Sequence, residues 1–198
     1  MKKTNSVNVR QLTILGMLTA IVVVLQLLGS FIRFGMFSIS LVLIPIVVGA
    51  ALCGPWAGAW LGFVFSIVVL ISGDASAFLA VNVLGTIVTV ILKGTLAGLV
   101  AGLVFSLVNK LKFKGSRYVA TVAAAVVCPV VNTGIFLIGC FLFFYDTVAG
   151  WASSLGYANA VTYMFLGLAG GNFLFELLFN VILSPVIVRI VNIGEKTA

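Results

Sequence analysis

Histidine is absent from this 198-residue chain. The commonest metal ligand and a frequent general base are therefore missing. Charge is scarce too. Four acidic residues stand against eleven Lys and Arg, and charged residues make up 8% of the whole. A soluble domain carries about 25% charged and about 45–50% apolar residues. Here 63% are hydrophobic, so no soluble core of this length could hide the apolar surface. A disordered chain needs the reverse composition. The three cysteines are odd in number and spaced for no metal site. Cys53, Cys128 and Cys140 read as small apolar fillers. No H-E-x-x-H, G-x-S-x-G or P-loop pattern occurs, so the chain carries no recognisable means of hydrolysing ATP. An enzyme is not expected, and neither is a cofactor or a metal. What remains is an integral membrane protein with lipid as its solvent.

The apolar residues fall into six segments, at 11–29, 39–54, 56–72, 83–109, 118–145 and 161–191. A helical span takes about 20 residues. The expected fold is all-α, with six transmembrane helices in one compact bundle and a single domain over 1–198. The first segment exceeds the roughly 7–15 apolar residues of a signal peptide and shows no clear cleavage site, so it reads as a retained span. Gly54-Pro55 marks a tight turn between the second and third spans. The stretches 73–82, 110–117 and 146–160 read as loops.

The net charge of +7 follows topology. Lys2, Lys3, Arg10, Lys110, Lys112, Lys114, Arg117, Arg189 and Lys196 all lie at or near segment ends. With an even number of spans they share one side, which the positive-inside rule makes cytoplasmic. Both termini are then cytoplasmic. Nucleic-acid binding is not expected, because the basic residues do not form a footprint of their own.

Glycine recurs every fourth residue, as Gly54, Gly58 and Gly62, then Gly94, Gly98 and Gly102, then Gly167 and Gly171. Small residues at this spacing let helices approach closely. Internal packing is the simplest use for those of spans three and four. Gly16 and Ala20 form a similar face on the first span, and that face could instead meet a separate membrane subunit.

Lys93 is the most informative residue. It lies about 15 Å below the outer end of its span, at about 1.5 Å per residue. A lysine at such depth costs at least about 2.5–3.5 kcal/mol on insertion scales, so it needs an anion, carbonyl groups or a wet cavity. Asn82, Thr86, Thr89 and Lys93 make one polar stripe descending from the outer surface. Glu176 is the one acid within a span, on a face with Asn172 and Asn180. Two readings stay open at this stage. Lys93 and Glu176 are either a buried pair that clasps two helices or parts of a ligand pocket. Asn132, just after Pro129, either bonds the backbone that proline frees or faces the same cavity. Phe136, Phe143, Phe144, Trp151 and Tyr157 gather at the outer end, as interfacial anchors with one or two forming a pocket wall. Arg33 sits on the same side.

A pocket without an energy source suggests a binding subunit driven by partners. The chain resembles the substrate-binding (S) components of energy-coupling factor (ECF) vitamin transporters. The resemblance rests on size, layout and Gly16-x-x-x-Ala20. It also rests on the run from Leu43-Ile44-Pro45 into Gly54-Pro55-Trp56-Ala57-Gly58, on Asn82 to Thr86 leading to Lys93-Gly94, and on Pro129 to Gly134. It implies a carrier in a bacterial cell membrane, working with a membrane scaffold subunit and two cytoplasmic ATPases. It implies a vitamin site near the outer face, built from spans four to six and the outer loops. It also implies that the first span meets the scaffold, with Gly16 standing where the family has alanine. The branch resembled includes pantothenate and folate carriers. Pantothenate, small and anionic, suits Lys93 with Asn132, Asn172, Glu176, Thr86, Thr89, Asn82 and Arg33. Folate, riboflavin or another vitamin precursor is the alternative, and a non-transporting structural or regulatory membrane protein is the rival from another class.

Overall fold

The computed structural model describes residues 9–31, 33–34, 37–38, 41–111 and 113–196. The first helix, α1 (Val9–Ser30), is apolar nearly all round and buries only Val22 and Gln26. A small hairpin follows, pairing β1 (Arg33–Phe34) antiparallel with β2 (Phe37–Ser38). It is a minor departure from the all-helical expectation.

The next helix is α2 (Leu43–Cys53), buried along most of its length. Its 11 residues rise only about 16 Å, short of a roughly 30 Å hydrocarbon layer. The expected span 39–54 is thus a shorter helix, and residues 39–40 lie outside those described. Gly54 turns the chain at φ 94°, which glycine adopts without strain, and Pro55 opens α3 (Pro55–Ile71). The anticipated tight hairpin is present. The loop at 73–82 contains one helical turn, α4 (Ser76–Leu79). Then come the long helices α5 (Val83–Asn109) and α6 (Ser116–Phe143).

The stretch 146–160 is not simply a loop. It is mostly helix α7 (Tyr145–Ser154), because Val148 and Ala152, four residues apart, bury one face. The sixth apolar segment starts with a short turn, α8 (Ala160–Thr162), passes through a π-helical segment (Tyr163–Gly170), and continues as α9 (Gly171–Lys196). Among the described residues, four helices are long and apolar enough to cross a membrane: α1, α5, α6 and the continuous Ala160–Ile193. The two shorter apolar helices are α2 and α3.

The glycine stripes of α3 and α5 meet face to face. A β-carbon at Gly62 would collide with the carbonyl of Gly94, and one at Gly58 with that of Gly98. Ser66 Oγ reinforces this contact, donating to Val90 O at 2.7 Å or to Gly62 O at 2.9 Å. On the other side α5 packs along α6, where Gly139 leaves room for Thr89. The helix α9 rests on α6 and α2.

Two apolar cores result. The larger is built from α1, α2, α3, α5, α6 and α9 around Leu43, Ile46 and Leu61. The smaller joins Phe78, Phe144, Val148, Tyr163 and Leu168 at one end of the molecule. A cavity lies between them.

Candidate functional site

The cavity encloses about 630 Å³, its open mouth included. Its polar lining comes from four helices and one turn. From α5 come Thr86, Thr89 and Lys93, from α6 Asn132, and from α9 Asn172 and Glu176. Six of the eight residues expected in the site from sequence thus share one chamber. Phe65, Phe78, Phe136 and Phe144 supply aromatic wall. A smaller adjoining chamber of about 290 Å³ shares Lys93, Asn132, Phe136 and Asn172, and adds Thr133 and two residues of the π-helical segment, Leu168 and Ala169.

The spacing explains the convergence. Thr86, Thr89 and Lys93 lie three and four residues apart on one face of α5, and Asn172 and Glu176 lie four apart on α9. Between these helices stands α6, so Asn132 completes the ring. Asn172 Nδ2 donates to Glu176 Oε1 at 3.2 Å, and Asn180 Nδ2 donates to the Glu176 backbone carbonyl at 2.8 Å. The carboxylate is therefore oriented from its own helix.

Lys93 is held differently. Its Nζ lies 5.8 Å from the Phe65 ring centre and 5.5 Å from that of Phe136. Aromatic faces attract a cation, by about 0.5–1 kcal/mol each when exposed and about 2 kcal/mol or more when desolvated. Among the described residues, no ion pair within 4.0 Å joins Lys93 to Glu176. Of the two readings left open, a close ion pair between them is thus not formed, because the cavity lies between α5 and α9.

The other two expected residues are Asn82 and Arg33. Asn82 does not line the cavity. Its Oδ1 accepts from Gly85 N at 2.9 Å and caps α5, an N-terminal role that suits asparagine. The backbone of Arg33 belongs to β1, but its side chain lies outside the described residues. Asn132 lines the chamber.

Sequence reasoning missed Gln26 and Asp74 as lining residues. Gln26 Nε2 donates to Asp74 Oδ2 at 2.7 Å, and Ser72 Oγ reaches the same oxygen at 3.2 Å. One signal was available, since glutamine is an outlier within the apolar run of the first helix. The aromatic cluster is centred on Phe78. It meets Phe136, Phe144 and Trp151 edge-on, at centroid distances of 5.7, 5.0 and 5.5 Å.

Several buried oxygens of this chamber lack a hydrogen-bond partner: Gln26 Oε1, Thr89 Oγ1, Asn132 Oδ1 and Glu176 Oε2. Buried polar atoms are rarely left so. A polar chamber with one lysine and an excess of acceptors is equipped to hold a small polar molecule. It has no metal-binding cluster among the described residues.

A family model for the substrate-specific component of ECF transporters matches residues 10–188. The chain belongs to this family. Neither the curated proteins nor the solved structures compared with it give a match. Members of this family are membrane-embedded transport subunits. ECF S components bind a small-molecule substrate and work with membrane and ATPase components.

Proposed function

We propose that this S component captures a small vitamin bearing one carboxylate, and that pantothenate is that vitamin. The observation that carries the reading is Lys93, a cation facing the chamber without an ion pair to Glu176. A ligand carboxylate would satisfy it. Pantothenate also brings two hydroxyls and an amide N–H, donors for three of the four unpaired oxygens of Gln26, Thr89, Asn132 and Glu176. Its apolar methyl groups suit the phenylalanine wall.

Four phenylalanines in one lining favour a second reading, a ring-bearing vitamin such as folate or riboflavin. A panel of vitamins separates the two. Pantothenate at about 100 times its Kd stabilises the protein by about 2.7 kcal/mol, which raises Tm by roughly 5–10 °C. Stabilisation by a flavin or a pterin alone would select the second reading. Stabilisation by none would favour a structural or regulatory role.

The same proposal includes six crossings in a bacterial membrane with both termini cytoplasmic, supported by nine of eleven Lys and Arg falling on one side. It also includes assembly through α1 with a scaffold subunit and two ATPases. Gly16 and Ala20 are exposed, and a β-carbon on Gly16 would have open space around it. Gly16→Leu is expected to abolish co-purification with the scaffold and leave vitamin binding within about twofold, since the residue touches nothing inside the subunit. Undiminished transport by this variant would remove α1 from the interface.

A further inference from the structure

The first helix packs Leu15, Leu18 and Leu25 against the larger core, and its fully buried residues are Val22 and Gln26. Val22 joins the larger core, whereas Gln26 lines the cavity with 2% of its surface exposed. Its amide orientation is determined chemically. Asp74 Oδ2 accepts a hydrogen bond, so the edge of Gln26 facing it at 2.7 Å must be the NH₂ group. Ser72 Oγ lies 3.2 Å from the same carboxylate oxygen and helps hold it. The other edge of the amide, Oε1, is then fixed in the cavity wall, buried and with no donor. This glutamine is not one of the polar groups that spans four to six contribute.

We propose that Gln26 is a specificity-determining ligand contact. Its Oε1 accepts a hydrogen bond from a hydroxyl or amide N–H of the bound vitamin, with Asp74 and Ser72 as positioning residues. The inference rests on the reading of the chamber as a pantothenate-like site and adds the group of the ligand that the first helix reads. It also makes α1, with Gly16 and Ala20 on its exposed surface, a wall of the binding site.

Calorimetric titration of the wild-type protein with pantothenate and with analogues lacking one hydroxyl or the amide N–H tests this. One analogue should bind about three- to tenfold more weakly than pantothenate, the range of one net hydrogen bond. In Gln26→Leu the affinity for pantothenate should fall by a similar factor, and the difference between pantothenate and that analogue should vanish. Gln26→Met, closer in shape to glutamine, serves if the leucine variant misfolds. Equal binding of all analogues by the wild type overturns the inference without any variant. So does a preference over every one of these analogues that survives unchanged after removal of the Gln26 amide, because no group of the ligand would then depend on it. Failure of the wild type to bind pantothenate at all is a different result, and it overturns the ligand assignment on which the inference stands.

Discussion

Lys93→Ala is expected to weaken binding of a carboxylate-bearing vitamin at least about 30-fold, with no loss of stability in the empty protein. The first half follows from chemistry. Removing one member of a desolvated charge pair costs about 2–5 kcal/mol of binding, which is about 30- to several-thousand-fold. Lys93 is the one cation lining the cavity among the described residues. The second half follows from the empty structure. Lys93 makes no ion pair with Glu176 among the described residues, and its contacts are two aromatic rings beyond 5 Å. A charge buried in a membrane is a cost of at least about 2.5–3.5 kcal/mol on insertion scales. Alanine removes that cost but forfeits the cation–π attraction and the longer-range attraction to Glu176 and Asp74, so the two offset and Tm without ligand should hold. A binding titration paired with a melting curve reads both. A variant that binds as before contradicts the pocket assignment. One that binds nothing because it no longer folds would restore the clasp between α5 and α9.

Gly62→Val is expected to do the opposite, destabilising the fold and weakening binding with it. The residue meets the backbone carbonyl of Gly94, and a peptide backbone does not rotate aside as a side chain does. To admit the valine, α3 and α5 must separate. That opens the Gly58–Gly98 contact, the Gly102–Pro55 contact and the bond from Ser66 to Val90. The same pair carries Phe65, Val69, Thr86, Val90 and Lys93 of the cavity wall. Overpacking a tight core costs about 1–3 kcal/mol and occasionally more. Against a total stability of about 5–15 kcal/mol, a loss of about 3 kcal/mol or more lowers Tm by roughly 6–12 °C. Gly134→Ala is the control, since a β-carbon there meets nothing within 4 Å. It should be tolerated, with a gain of up to about 1 kcal/mol from helix propensity. A Gly62→Val protein that melts and binds like wild type would mean that the α3–α5 contact does not hold the cavity wall.

Much of this was legible in the sequence because lipid imposes a simple code. Long apolar runs had to be helices, and glycines at every fourth residue had to allow close approach. The polar residues of α5, α6 and α9 were conspicuous against that background, and their spacing placed them on common faces. Other features leave no such mark. The π-helical segment Tyr163–Gly170 has no distinctive composition. The helix α7 looks like a loop because Gly150, Ser153 and Ser154 interrupt it, and its two buried residues become informative only once a core exists for them. Asn82 carries the same chemistry as Asn132, and spacing alone did not separate a helix cap from a cavity wall. Phe78 is indistinguishable in sequence from a lipid-facing phenylalanine, although it is the centre of the aromatic cluster. Gln26 lies on a helix whose faces are almost equally apolar, so nothing in the local pattern said which way it points. Its partner Asp74 is 48 residues away.

The central claim is that the chamber around Lys93 holds a small anionic vitamin. Mass spectrometry of the small molecules carried by the purified protein tests it most directly. The prediction is a single carboxylate-bearing vitamin, pantothenate, released from the wild type and missing from Lys93→Ala. A cationic or uncharged ligand, or the same molecule carried equally by both proteins, would contradict it.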